Sequence, residues 1–124
     1  MNEGVNDALR KDMVVDITTV GRKSGERRRI EIWAHFLEGR VLITGSPGRR
    51  SWYANMLGDP SVTLHLKGDL RIDLPATARA VTDPAERRQL LTAIKSASGF
   101  EQRRTMDVEA WVTGSCLVEL ILSQ

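Results

Sequence analysis

Cysteine is nearly absent from this sequence, with Cys116 the only one. That excludes an internal disulfide framework and any zinc site built on several cysteines. Apolar neighbours flank it, so Cys116 reads as a buried packing residue. Aromatic residues are 5% of the 124, and Tyr53 is the sole tyrosine. Stacking on nucleic acid needs more, so no nucleic-acid partner is expected. No apolar run is long enough to span a bilayer, and the opening stretch MNEGVNDALRKD holds no signal-peptide core. The expectation is a cytoplasmic protein without an integral membrane segment. Neither charge sign dominates, with 18 Lys and Arg against 16 Asp and Glu. HExxH, GxSxG, GxGxxG and CxxC are all missing, which removes the commonest motif-borne chemistries. No His, Cys, Asp or Glu set shows ligand spacing, so no metal is expected, and His35 and His65 read as ordinary strand residues.

What remains is an ordinary globular balance, 41% hydrophobic and 27% charged, without repeats or linkers. It reads as one domain over residues 1–124. Residues 13–20 are rich in β-branched side chains and read as a strand. After the break Gly21–Gly25, residues 28–37 alternate, with Ile30, Ile32, Ala34 and Phe36 on one face. Glu38-Gly39 is a tight turn into a third strand, 40–46. Pro47-Gly48 stops it, and residues 50–58 suit a short helix. Residues 61–67 and the segment from Leu70 to about Val81 read as a hairpin around Gly68-Asp69, with Pro75 marking an edge or bend. Asp83-Pro84-Ala85-Glu86 opens a helix as a capping box, with Leu90, Leu91, Ile94 and Ala97 as its apolar stripe. Ser98 to Thr105 reads as a polar connection, Asp107 caps a short helix, and 115–122 is a last strand. Six strands joined mostly by hairpins predict a closed or split antiparallel barrel with peripheral helices, in a mainly β, α+β protein.

Two segments carry chemistry. In Thr18-Thr19-Val20-Gly21-Arg22-Lys23-Ser24-Gly25, followed by Arg28, a glycine-bracketed turn offers backbone N–H groups beside Lys, Ser and Arg donors, a set suited to phosphate or carboxylate. A solvated basic hairpin turn has the same pattern. In Ser46-Pro47-Gly48-Arg49-Arg50-Ser51-Trp52-Tyr53-Ala54-Asn55 a strand gives way to a helix N-terminus carrying two aromatics. These aromatics serve either a flat ligand or the core.

Taken together, ITTVGRKSGERRR and EGRVLITGSPGRRSWYANMLGDPSVTLHLKG resemble the flavin/deazaflavin oxidoreductases, specifically the deazaflavin-dependent nitroreductase branch. The resemblance covers Val14 to Lys67 and, by element order, the rest. It implies a split β-barrel of the pyridoxamine-phosphate-oxidase, FMN-binding type. It also implies coenzyme F420 as cofactor, with FMN as the alternative, and hydride transfer to a small-molecule acceptor of quinone, enone or nitro type. Arg22, Lys23, Ser24 and Arg28 match the family's contacts to the anionic part of the coenzyme, with Arg29 and Ile30 lining the same groove. Thr44, Gly45, Ser46 and Pro47 match the strand end that meets the ring, and Ser51, Trp52, Tyr53 and Asn55 the helix start that closes the site. No catalytic acid or base is implied; Tyr53 is a candidate hydrogen-bond donor to the acceptor's oxygen. The loop SPGRRSWY is shorter than the family's, and the tyrosines that shape the nitroimidazole pocket of the best-known branch are absent. A non-catalytic carrier of a flavin-like or tetrapyrrole ligand is the second reading, and a homodimer is expected by analogy.

Overall fold

Glu38 and Gly39 both adopt positive φ, 52° and 77°, the twist a two-residue hairpin needs. This turn joins β2 (Arg27–Leu37) to β3 (Arg40–Thr44). The computed structural model describes residues 12–123, and the polar opening stretch through Lys11 lies outside them. Before the hairpin comes β1 (Met13–Val20); after it follow α1 (Ser51–Gly58), β4 (Ser61–Lys67) and β5 (Arg71–Ala80). The chain continues through α2 (Pro84–Ala97), α3 (Glu101–Arg104), α4 (Val108–Gly114) and β6 (Leu117–Leu122). The strands close in the order β1-β2-β3-β6-β5-β4, every pairing antiparallel. The barrel and its peripheral helices are therefore those expected from the sequence.

Alternation decides what goes inside. Val15 pairs with Ile32 and Ile17 with Ile30; Val15, Ile17 and the half-buried Ile32 face the barrel interior with Val41, Ile43, Leu64, Val118 and Leu120, while Ile30 is exposed. The opposite face of β3 and β6 supplies Leu42 and Leu117 to a second core, beneath Leu90, Leu91 and Ile94 of α2 and Trp111 of α4. Each fully buried Leu or Ile there contributes about 1.5–3 kcal/mol. Asp83 caps α2 by accepting from the Glu86 N–H (2.9 Å), and Asp107 caps α4 by accepting from Ala110 N–H (3.3 Å).

Some expectations need correction. Ala97 is exposed, although Ile94 one turn before it and the cap residue Ser98 just after it are buried. The β4–β5 loop has three residues, since Lys67 pairs with Arg71. Pro75 lies where β6 runs out: its carbonyl accepts from Ser123 N–H, so its missing donor points past the ladder. The capping box is only half made. The Glu86 carboxylate turns instead to Arg79 (2.7 Å) and Arg40 (3.2 Å), which also bind Glu119. Hydrogen bonds from Arg79, with Arg40 adding, hold the Glu86 carboxyl down at about 2 despite some desolvation. A depressed carboxyl stabilises the fold fully above the ordinary glutamate range and loses that contribution as pH falls through its folded value. Between about pH 5 and pH 2 the urea midpoint of wild type is therefore expected to fall faster than that of Glu86→Gln. Parallel curves would remove this role.

Candidate functional site

The turn between β1 and β2 is built by its own backbone. Gly21 N–H donates to the Glu26 carbonyl (2.7 Å), Gly25 N–H to the Gly21 carbonyl (2.8 Å), and Ser24 Oγ accepts from Glu26 N–H. Gly25 has φ 72°, and a Cβ on Gly21 would stand 2.8 Å from Ser24 Oγ. The turn is tied to α1 by a buried amide: Asn55 Oδ1 accepts from Arg22 N–H (3.2 Å) while Asn55 Nδ2 donates to Thr19 Oγ1 (3.2 Å). Asn55 therefore acts as the clamp that fixes the turn against the helix.

Between turn and helix lies a pocket of about 290 Å³ lined by Gly21, Arg22, Lys23, Ser24, Arg28, Ser51 and Asn55. Three cations and no carboxylate line it. A second cleft, of about 700 Å³, shares Arg22 and Ser51 with the first. It runs along Gly48–Arg50, Tyr53, Ala54 and Leu57 to a far wall at Thr113–Cys116. Pro47 packs close to Gly114, where a Cβ would stand 3.1 Å from the proline ring. Burial pushes the Cys116 thiol up, so it stays protonated. A third pocket, of about 310 Å³, shares Arg50 with the cleft and is lined by Glu31, Ile32, Trp33, Thr44–Ser46, Trp52, Gln102 and Arg103.

The two motifs thus meet around the start of α1. Tyr53 faces the cleft, edge-on to Trp52 at 6.1 Å, while Trp52 is itself a core residue. Thr44 is fully buried, its Oγ1 donating to the Cys116 carbonyl (2.6 Å), so it offers the pocket little beyond its place in the wall. Arg29 and Ile30 do not share a groove. Neighbours in a strand point to opposite faces; Arg29 Nε donates to Asp16 (2.9 Å), Ile30 shares the face of Ile17 but is itself exposed, and neither lines any of the three pockets.

The sequence did not reveal Arg50, Gln102 and Arg103 as neighbours. Arg103 belongs to a run read as a polar connection, yet it is 3% exposed. Its guanidinium lies 4.9 Å from the Trp33 ring and 5.0 Å from the Trp111 ring, and Phe100 stacks on Trp33 at 4.2 Å. Arg103 Nε donates to His35 Nε2 (3.3 Å), which assigns the proton to Nδ1, the donor to Asp12 (2.9 Å). Burial holds His35 below its ordinary range, against Asp12 and with Arg103, so it is a neutral imidazole. His65 bridges Thr18 and Asp73, both at 2.7 Å. No helix among the described residues is long and apolar enough to cross a membrane.

A family model described as F420H(2)-dependent quinone reductase matches residues 1–113. Among solved structures, a conserved hypothetical protein from Mycobacterium tuberculosis superposes with a TM-score of 0.76 at 16% identity, covering 100% of this chain and 82% of that one. A protein described as an F420 reductase gives 0.69 at 16% identity, covering 100% and 97%. A putative pyridoxamine 5′-phosphate oxidase from Listeria innocua gives 0.70 at 10% identity, covering 98% and 93%, which marks the barrel as the split type.

Proposed function

The chain belongs to the F420H(2)-dependent quinone reductase family, and from that footing we propose that it reduces a quinone, with enones and nitro compounds as related acceptors. It is an oxidoreductase whose cofactor is coenzyme F420. When bound, the coenzyme supplies a hydride from its ring carbon; the protein supplies binding and orientation.

The residues present fit that group. F420 carries a phosphodiester and an oligoglutamate tail at one end and a flat ring system at the other. The 290 Å³ pocket offers Arg22, Lys23 and Arg28 with the Ser24 and Ser51 hydroxyls, a donor set for the anionic end. The adjoining 700 Å³ cleft has the size for a flat ligand. The observation that carries the reading is the sharing of Arg22 and Ser51 by both, because one elongated ligand then meets cations and cleft in succession.

In this reading Lys23 and Arg28 hold the anionic part and Gly48 and Ser51 border the ring, while the third pocket beyond Arg50 receives the acceptor; the strand end Thr44–Ser46, expected to meet the ring, lines that third pocket and so faces the acceptor instead. Tyr53 lines the cleft and not the third pocket, so it donates to the acceptor oxygen, where negative charge grows, at the point where the acceptor reaches past Arg50 over the coenzyme ring. Fluorescence titration of the protein with F420 tests binding, and stopped-flow oxidation of F420H2 by a simple quinone tests turnover. Tyr53→Phe is expected to lower kcat about tenfold or more with F420 affinity preserved. Unchanged kcat would withdraw the tyrosine, and failure of every acceptor to reoxidise bound F420H2 would favour a carrier.

A further inference from the structure

We propose that the pocket between Arg50 and Arg103 is an anion subsite that selects acceptors bearing a carboxylate or enolate beside their ring, a reading that rests on the reductase function and deepens it.

The case begins with uncompensated charge. Two guanidinium groups line one 310 Å³ pocket, and among the described residues neither contacts a carboxylate. Arg50 donates to the Arg49 carbonyl (2.8 Å) and the Ser46 carbonyl (2.9 Å). Arg103 donates to His35, to the Gln102 side-chain oxygen (2.5 Å) and to the Thr44 carbonyl (2.9 Å). All of these acceptors are neutral. A guanidinium has five N–H donors, so Arg103 retains capacity after these three bonds. Asp12, the carboxylate whose charge reaches it, is joined to it only through the His35 ring.

A buried cation without a counter-charge is costly. Burial outweighs the attraction of the more distant Asp12 and, with Arg50 adding to it, has pulled the Arg103 guanidinium down to about 10. Two cations facing one cavity repel, and an anion placed between them removes the repulsion and the exposed charge together. Glu31 also lines the pocket, but its carboxylate is taken by Lys67 at the outer edge. Ile32, Trp33 and Trp52 supply the apolar wall for a ring. Because Arg50 also borders the cleft assigned to the coenzyme, a ligand held here has its ring next to that cleft.

Calorimetric titration of the F420-loaded protein with 2-naphthoate and with neutral 2-naphthamide tests the subsite apart from chemistry. The acid is expected to bind about tenfold tighter, and that preference to fall to near unity in Arg103→Gln and in Arg50→Gln. The second variant carries the test if the first does not fold. Equal binding of the two probes by wild type, a preference that survives both substitutions, or displacement of F420 by naphthoate would overturn the proposal. A quinone with a carboxyalkyl arm and its methyl ester supply the turnover arm. The acid-to-ester ratio of kcat/KM is expected to be about tenfold in wild type and near one in either variant. If neither quinone is reduced while naphthoate still binds selectively, the reductase reading fails and the subsite stands.

Discussion

Arg87→Met is expected to destabilise the protein by about 3–5 kcal/mol, the largest effect of any single substitution considered. Arg87 is buried, and its guanidinium spends its donors on four backbone carbonyls. Nη1 binds Val81 (2.7 Å), Nε binds Val112 (2.8 Å), and Nη2 binds Trp111 (3.1 Å) and Ser115 (2.5 Å). Three of these carbonyls close the C-terminal turn of α4, where a cation also meets the negative end of the helix. Methionine fills much of the volume but takes the guanidinium donors from the Val81, Val112 and Ser115 carbonyls, while Trp111 keeps the Ser115 N–H and Oγ; each carbonyl left buried without a donor costs about 1–3 kcal/mol. The thermal midpoint should drop by about 10 °C or more. Arg87→Lys should recover only part, because an ammonium cannot fork to four acceptors. The damage should reach the site, since Ser115 belongs to the far wall of the cleft. A thermal midpoint in Arg87→Met equal to wild type would refute the account.

The second large effect concerns binding. Lys23→Ala with Arg28→Ala is expected to weaken F420 about a hundredfold while leaving the thermal midpoint almost unchanged. Both side chains are exposed, and among the described residues the one ion pair either makes, Arg28 with Glu26 at 3.9 Å, is long and solvated. Each charge-assisted hydrogen bond to the anionic part is worth about tenfold or somewhat more. The double variant should also show a flatter dependence of affinity on salt, because fewer cations remain to be screened. An unchanged dissociation constant would remove the anion assignment from this pocket.

The strands were legible because their signals are local. Alternation over Met13–Val20 and Ser61–Lys67, the Glu38-Gly39 turn and the Asp83-Pro84 start each need only a few neighbouring residues. The cationic turn was legible for the same reason. What escaped depends on distant partners. Arg103 is buried only because Trp33, His35 and Trp111 converge on it, and its own run of charged neighbours suggests solvent. Glu86 fits a capping box by spacing, but two arginines brought close by folding outcompete the local partner. Asn55 sits in a recognisable motif, yet its clamp on Thr19 and Arg22 is visible only in three dimensions.

The seam of the barrel also sets an order of assembly. It joins β3 to β6, and there Thr44 reaches Cys116 across 72 positions of chain. Asn55 reaches Thr19 across 36. Shorter-range contacts form sooner in folding, because less chain entropy is lost before they are made. The hairpin of β1 and β2 with α1 is therefore expected to come together before the seam closes. The cationic pocket then already exists on a half-built protein, whereas the cleft waits for Gly114–Cys116 to arrive. A nascent or refolding chain should accordingly capture a polyanion before it can hold a flat ring, and polyglutamate should speed the early phase of refolding without affecting the late one.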